Sequence, residues 1–564
     1  MPVNIPIAVP LKPSLRKRFY EALVLWVCLK GSFTQGKQTE VTERISDDEQ
    51  VSDRKQLYHC FANKVAQICA IKKGSDTVTS CGILQPGQTR YIFASNNRTG
   101  EALEEVKAFI EDILSALGEA KDEEVKEAKA NKHSALFSEM LRKILRFNRP
   151  RLENYIRLMA EEIVACIESV RESEDEDSIG AQEATANLER LVPLLRFIGS
   201  AGDKGKAKVD IAEFVLKTEQ LLDALEGCYR SSLEEFIRHQ YLRDRERQPG
   251  ETAWSNMHHA TGRLMSYFYA VRIFLKARMV FPDLFSNFSV EHVPSSAPGE
   301  TPDIRKKVEG IVSRLTTDKN IVEMFRKLEP QLQVGLNDSI KSCTHPHAFR
   351  PIVHAELLVD DFIRREQRRA TSTPGAEPLP YFREFEFGAY IGGSKPTCKL
   401  CSIYFAEHPD GVQVRPSHNN VYYKWRMPDV FESDPESVLT ERAVVLEAMV
   451  KGLRGLIVRG IRNQSAVKNP FDSNNTPSYP VADVSVTAML FRDMSVADES
   501  VGASSRDTTP EDERFEQMRR GALQAQAVIE GRRMQEKPRG GGGRGWKGRV
   551  IRVEDDDEDG GARL

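Results

Sequence analysis

The sequence predicts an α/β domain that follows a large all-helical domain and precedes a disordered tail. Apolar residues recur at spacings of three and four through much of residues 14–290, as in amphipathic helices. After residue 303, helical stretches alternate with short strand-like runs, the order expected of a layered α/β domain. From residue 491 to 564 the chain is charged and rich in Gly and Arg, which predicts disorder.

The size and composition of the chain limit the classes of protein to which it can belong. Its 564 residues exceed the roughly 250–300 residues at which single cores stop growing, so we expect more than one folded unit. The 80 basic and 83 acidic side chains nearly cancel, so any affinity for nucleic acid must be local. The nine cysteines are scattered, unlike a secreted disulfide framework. The apolar run at 22–29 is too short for a membrane span, which needs about 18 residues.

From these properties we expect an intracellular protein, cytoplasmic or nuclear, that is neither secreted nor associated with a membrane. Residues 1–292 are predicted to form a helical domain of unknown function, with a possible role in binding a protein partner. Within it, the stretch Ser255 to Phe285 is apolar around much of its circumference, which indicates a core helix.

Residues 293–302 are rich in Pro, Ser and Gly and have no apolar period, which is typical of a linker. We therefore place a second domain at residues 303–490. Its predicted elements are a helical stretch at 303–343, a strand at 385–391, a short strand at 411–415, a helix at 436–461 and a strand at 481–489.

Two short motifs in this second domain carry chemistry: His354-Ala355-Glu356, and Cys398 followed three residues later by Cys401. Each is predicted to begin a helix, the second with Ser394 as cap and Pro396 in the first turn. Cysteines three residues apart share one helix face, and a helix N-terminus favours their thiolate form.

Imidazole and thiolate groups are ligands of Zn²⁺, and three protein ligands leave a fourth position for water, as in catalytic sites. We therefore predict His354, Cys398 and Cys401 as zinc ligands. Zinc lowers the pKa of such a water to about 7, and a neighbouring carboxylate can carry its proton. Glu356, two residues from His354, is the candidate for that proton transfer.

Two alternatives stay open at this point. A structural zinc site would need a fourth ligand, and the candidates are Cys343, His345, His347, His408 and His418. A redox Cys-x-x-Cys pair is the third interpretation, which the preceding His-x-Glu makes weaker.

The two motifs resemble the His-x-Glu and Pro-Cys-x-x-Cys signature of the cytidine deaminase-like superfamily. Around them, the stretches VHAELL (353–358), YIGGSKPTCKLC (390–401) and SHNNVYYKWRMP (417–428) resemble a largely uncharacterised OTT-type deaminase-like family of fungi. The resemblance implies an α/β/α layered domain with both metal-bearing helices on one side of a sheet. Here Thr397 separates Pro396 from the first cysteine, which departs from the usual pattern.

The function expected from this resemblance is zinc-dependent hydrolytic deamination of a nucleobase, in a nucleotide or in nucleic acid. Zinc-bound hydroxide would be the nucleophile and Glu356 the proton shuttle. His418 is a candidate substrate contact, although a histidine bonded to backbone is an equal alternative. Trp425 is expected to pack in the core or in a loop rather than to stack on a base. The tail segment 539–549 is a candidate RNA contact. The rival hypothesis is a non-catalytic interaction protein whose deaminase-derived domain keeps a structural zinc.

Overall fold

The computed structural model describes residues 7–468, except 34–35, 39–52, 86, 173–178, 198–208, 230–232, 248–251, 305–306, 333–334, 347–348 and 374–378. Its helices are α1 (Pro13–Ser32), α2 (Arg54–Ile68), α3 (Gly100–Glu119), α4 (Asp122–Ala130), α5 (Ala135–Phe147), α6 (Arg149–Arg171), α7 (Ile179–Leu195), α8 (Ile211–Tyr229), α9 (Leu233–Arg247), α10 (Ala253–Val280), α11 (Asp283–Ser286), α12 (Val308–Leu315), α13 (Lys319–Leu328), α14 (Leu336–Cys343), α15 (Ala355–Ser372), α16 (Glu384–Phe387), α17 (Lys399–Glu407) and α18 (Glu436–Asn463). Its strands are β1 (Gly36–Gln38), β2 (Thr79–Leu84), β3 (Thr89–Ser95), β4 (Phe288–Val293), β5 (Tyr390–Gly393), β6 (Gln413–Val414) and β7 (Ala466–Lys468).

A five-stranded mixed sheet organises the fold, with strand order β4-β3-β2-β5-β6. Strand β2 is antiparallel to β3 and β5, whereas the β3–β4 and β5–β6 pairs are parallel. Strand β2 precedes residues 293–302 and β5 follows them, yet the two strands are hydrogen-bonded neighbours in this sheet. The domain boundary predicted at 293–302 therefore divides a single sheet. The chain before residue 292 is mostly helical, but the expectation of an all-helical region is wrong for β1, β2, β3 and most of β4.

Helices cover both faces of the sheet. Cys81, Ile83 and Phe93 point into one core, which also contains side chains of α2 and α10. Leu84, Ile92 and Ala94 point into a second core with side chains of α15, α17 and α18. Strands buried on both faces show no alternation of apolar and polar residues. This explains why β2 and β3 gave no strand signal in the sequence.

Two glycines allow helices to approach the sheet closely. A Cβ atom at Gly392 of β5 would lie 2.5 Å from the backbone carbon of Ala62 in α2. On the other face, a Cβ atom at Gly82 would lie 2.7 Å from the Ile363 side chain of α15. Gly392 is therefore a packing position within a strand.

Several predicted elements after residue 303 differ from those observed. The strand predicted at 385–391 is wrong for its first half, because Glu384–Phe387 forms a helical turn and the strand begins at Tyr390. Phe385 is fully exposed while Phe387 is buried, so their alternation does not mark one face of a strand. The predicted helical stretch at 303–343 is observed as α12, α13, a 3₁₀ turn and α14.

Helix α18 confirms the predicted helix at 436–461, and β6 lies within the predicted strand at 411–415. The strand predicted at 481–489 and the whole tail lie outside the described residues. In the part of the chain that the structure describes, none of the helices has the length and apolar character needed to cross a bilayer.

Candidate metal centre

Helix α15 presents His354 at its N-cap position. The His354 side chain does not cap the helix; instead, the side chain of Asn96, just after β3, accepts a hydrogen bond from the Ala355 N–H at 2.8 Å. The first turn of α15 is thereby held against the end of a strand more than 250 residues earlier in the chain.

Helix α17 begins with Cys398 itself as the N-cap, and its Sγ accepts a hydrogen bond from the Cys401 N–H at 3.4 Å. The predicted start at Ser394 and Pro396 is wrong. Thr397 pairs through its backbone with the segment after β6, donating to Pro416 and accepting from His418. Because this pairing keeps residue 397 extended, the helix cannot begin before Cys398.

The two helix starts bring the predicted ligands together. The His354 Nδ1 atom lies 3.6 Å from the Cys398 Sγ and 3.4 Å from the Cys401 Sγ. All three ligand atoms lie within 4.8 Å of one another, and all three side chains are buried. One imidazole nitrogen and two sulfurs at this spacing fit a zinc ion.

No fourth His, Cys, Asp or Glu of the described residues joins this cluster. Cys343 contacts Cys28 instead, and His408 is hydrogen-bonded to Glu441 at 2.8 Å. His347 lies outside the described residues. The cluster therefore offers three protein ligands, the number that leaves a coordination position open.

Burial and mutual contact set the charges in the cluster. Burial by itself raises the pKa of the Cys398 thiol, but the hydrogen bond from Cys401 and the nearby His354 bring that pKa well below its usual range. Burial raises the pKa of Cys401, which is the hydrogen donor of the pair. Burial lowers the pKa of His354, but Cys398 raises it and prevails. A metal cation would replace these protons, since zinc binds thiolate and neutral imidazole.

Glu356 lies in the first turn of α15 and is 6% exposed. Burial raises the pKa of its carboxyl group, His354 opposes this effect and Cys398 adds to it. The carboxyl group also acts electrostatically on Cys401. Glu356 is therefore a buried acid next to the ligand cluster but outside it.

Trp425, which lies outside both ligand motifs in the sequence, also contacts the cluster. It is fully buried, as predicted, and its indole Nε1 lies 3.3 Å from the Cys401 Sγ, to which it donates a hydrogen bond. The neighbouring backbone is paired with Ile352, which accepts from the Arg426 N–H at 2.9 Å. The sequence predicted the burial of Trp425 but not its hydrogen bond to a ligand.

The segment that contains His418 also reaches the surface. The His418 Nδ1 atom accepts a hydrogen bond from the Asn420 N–H at 3.0 Å, as expected of a histidine bonded to backbone, and its substrate contact stays a prediction. The Tyr422 ring lies 5.8 Å from the His418 ring and 6.4 Å from the His354 ring, with 36% of the residue exposed. Tyr422 thus connects the cluster with the surface. Our sequence interpretation missed this residue, although it lies within the resembling stretch 417–428.

A buried His/Cys/Cys cluster with an adjacent carboxyl group, placed at two helix starts against a sheet, defines a deaminase-like site. Residues 353–429 match the family model described as OTT_1508-like deaminase, so this part of the chain is similar to that deaminase-like family. The match contains the three cluster residues and Glu356. Comparisons with curated proteins and with solved structures found no match.

Proposed function

We propose that the protein is a zinc-dependent hydrolase that deaminates a nucleobase-containing substrate. The observation that carries the proposal is the three-ligand cluster of His354, Cys398 and Cys401, which no fourth described ligand closes. A structural zinc site uses four protein ligands, whereas a catalytic one keeps a position open. When bound there, zinc would supply Lewis-acid chemistry and lower the pKa of a water molecule.

Glu356 is the residue proposed to move the proton. In the overall reaction, water adds to an amidine-like carbon of the base, and ammonia leaves as a carbonyl group forms. The Glu356 carboxylate would accept a proton from the attacking water and return it to the departing amine nitrogen. Its position in the first turn of α15, two residues after His354, supports this role. Trp425 would orient Cys401 during the reaction.

The proposed substrate class is supported by the similarity to deaminases and by the surroundings of the cluster. Tyr422 offers a partly exposed aromatic ring near His354, a surface on which a base can stack. The proposal includes both a nucleotide and a base within nucleic acid as substrates. RNA contact through residues 539–549 and protein binding by the helical region are further parts of the proposal.

The test begins with the metal content of the full chain, measured by mass spectrometry, and continues with ammonia release. The substrates are bases, nucleosides, nucleotides and single-stranded oligonucleotides that contain cytosine or adenine. Glu356→Gln is expected to lower the rate by about 100- to 10,000-fold and to keep the metal. The control Glu366→Gln lies further along the same helix and pairs with Arg369, so it should retain both properties.

Two results would contradict the proposal. If zinc is bound and no substrate releases ammonia, the cluster is a structural site and the interaction-protein hypothesis gains support. If Glu356→Gln is as active as the wild type, the proton passes through another group.

A further inference from the structure

Two cysteines outside the metal cluster lie side by side. Cys28, in the last turns of α1, and Cys343, the last residue of α14, place their Sγ atoms 3.9 Å apart although 315 positions separate them in the chain. The contact is formed by the packing of α1 against α14. Two thiols at this distance need only a small side-chain movement to form a disulfide.

Cys343 is also the accessible member of the nine cysteines. The other eight are buried, whereas Cys343 is partly exposed. The Cys28 thiol donates a hydrogen bond to the Cys343 sulfur, and this lowers the pKa of Cys343 to about 7. Burial raises the pKa of Cys69 to about 12 and that of Cys81 further still. The thiolate, which is the reactive form, is therefore favoured at Cys343 over Cys69 and Cys81.

The chain next to each cysteine contacts the segment that leads to Trp425. Lys30, two residues after Cys28, donates to the Asn419 carbonyl at 3.3 Å and to the Asn420 side chain at 3.0 Å. Beyond Cys343, the Phe349 ring lies 5.5 Å from the Tyr423 ring. A disulfide between Cys28 and Cys343 would therefore link α1 to the chain around α14, the two parts of the protein that contact this segment.

We propose that Cys28 and Cys343 form a reversible disulfide when the protein meets a peroxide. The Cys343 thiolate attacks one peroxide oxygen, an S–O bond forms, the O–O bond breaks and hydroxide leaves. The Cys28 sulfur then attacks the Cys343 sulfur, the S–S bond forms, the S–O bond breaks, and the Cys28 proton leaves with hydroxide as water. The two sulfurs together lose two electrons, which reduce the peroxide. A dithiol reverses the reaction by exchange.

The test treats the full chain, as purified, with equimolar hydrogen peroxide and then alkylates the remaining thiols. Peptide mapping is expected to find a cross-linked pair containing Cys28 and Cys343, lighter by about 2 Da than the two thiol peptides together. Dithiothreitol should remove the link. The melting temperature should rise on oxidation, because the disulfide restricts the unfolded chain.

Single substitutions identify the two partners. Cys28→Ser and Cys343→Ser should abolish the link, whereas the control Cys228→Ser should keep it. In Cys28→Ser, a sulfenic acid at Cys343 should be trapped by dimedone, a result that does not depend on the stability of the disulfide. The proposal is overturned if the wild type shows only a Cys398–Cys401 link, if Cys343 proceeds to sulfinic acid while Cys28 remains alkylated, or if both stay thiols.

Discussion

The indole Nε1 of Trp425 donates a hydrogen bond to the Sγ of Cys401 over 3.3 Å. Trp425 is fully buried, and its backbone segment pairs with Ile352, two residues before His354. Trp425 therefore links a sulfur ligand to the segment that leads to the imidazole ligand. Such partners orient metal ligands and tune their basicity.

Replacing Trp425 with Phe should weaken zinc binding by about 10- to 100-fold, because the hydrogen bond to Cys401 is lost while most of the ring volume remains. The measurement is competition with a chromophoric zinc chelator. Trp26→Phe is the matched control, since Trp26 is also buried in the same core but has no hydrogen bond to the cluster sulfurs. Equal weakening in both variants would indicate a packing effect and contradict the prediction.

Asn96→Ala should lower the free energy of unfolding by about 1–2 kcal/mol, because the Ala355 N–H at the start of α15 loses its acceptor. Chemical denaturation of the chain measures this change. The Asn96 amide also donates to the Ser75 carbonyl at 3.1 Å. Asn96→Asp keeps an oxygen acceptor for Ala355 but removes that donor, so it should recover part of the loss. If Asn96→Asp recovers nothing, the loss comes from the hydrogen bond to Ser75 and not from the one to Ala355.

Tyr422→Ala should raise the KM for a deaminated substrate by about 10-fold and leave the metal content unchanged, since a stacked base gains roughly 1–3 kcal/mol from an aromatic ring. Steady-state kinetics with the best substrate of the panel measure this. Tyr422→Phe keeps the ring and should behave like the wild type. If the alanine variant instead loses zinc, Tyr422 supports the cluster rather than the substrate.

Asp360 should make stability depend on pH. It is buried one turn after Glu356; its Oδ2 accepts from the Tyr404 hydroxyl at 3.2 Å, and its Oδ1 has no hydrogen-bond partner among the described residues. Burial raises the pKa of this carboxyl group to about 6. Between pH 4 and pH 6 the unfolded chain has released this proton while the folded chain still holds it. The contribution of the Asp360 carboxyl group to the free energy of unfolding is therefore present at low pH and is lost as the pH rises through 6.

Asp360→Asn should remove that loss, so the free energy of unfolding of the wild type should fall relative to that of the variant by roughly 2 kcal/mol between pH 4 and pH 7. Denaturant unfolding of both proteins at each pH measures the difference between their free energies of unfolding. The effects of pH on other groups are common to both proteins and cancel in this difference. Asp338→Asn, at an exposed position, is the control and should show no such change. A constant difference between wild type and Asp360→Asn would contradict the raised pKa.

The sequence predicted the local parts of the site well. Both motifs were predicted to lie at helix starts, and the structure begins α15 after His354 and α17 after Cys398, later than the start predicted at Ser394. Prediction from the sequence failed where backbone hydrogen bonds to a distant segment decide the local conformation. Thr397 stays extended because it pairs with residues 416–418, which no pattern around Pro396 reveals.

By itself, the sequence determined the residue types and spacings from which a three-ligand zinc cluster can be built, because ligand chemistry and helix periodicity are local properties. Only the tertiary structure decided that strands β2 and β3 lie under α15, that Asn96 caps that helix, and that Trp425 and Cys28 meet Cys401 and Cys343 respectively. These contacts join residues that are far apart in the chain. Their formation depends on how both faces of one sheet are covered by helices, which is a property of the whole core.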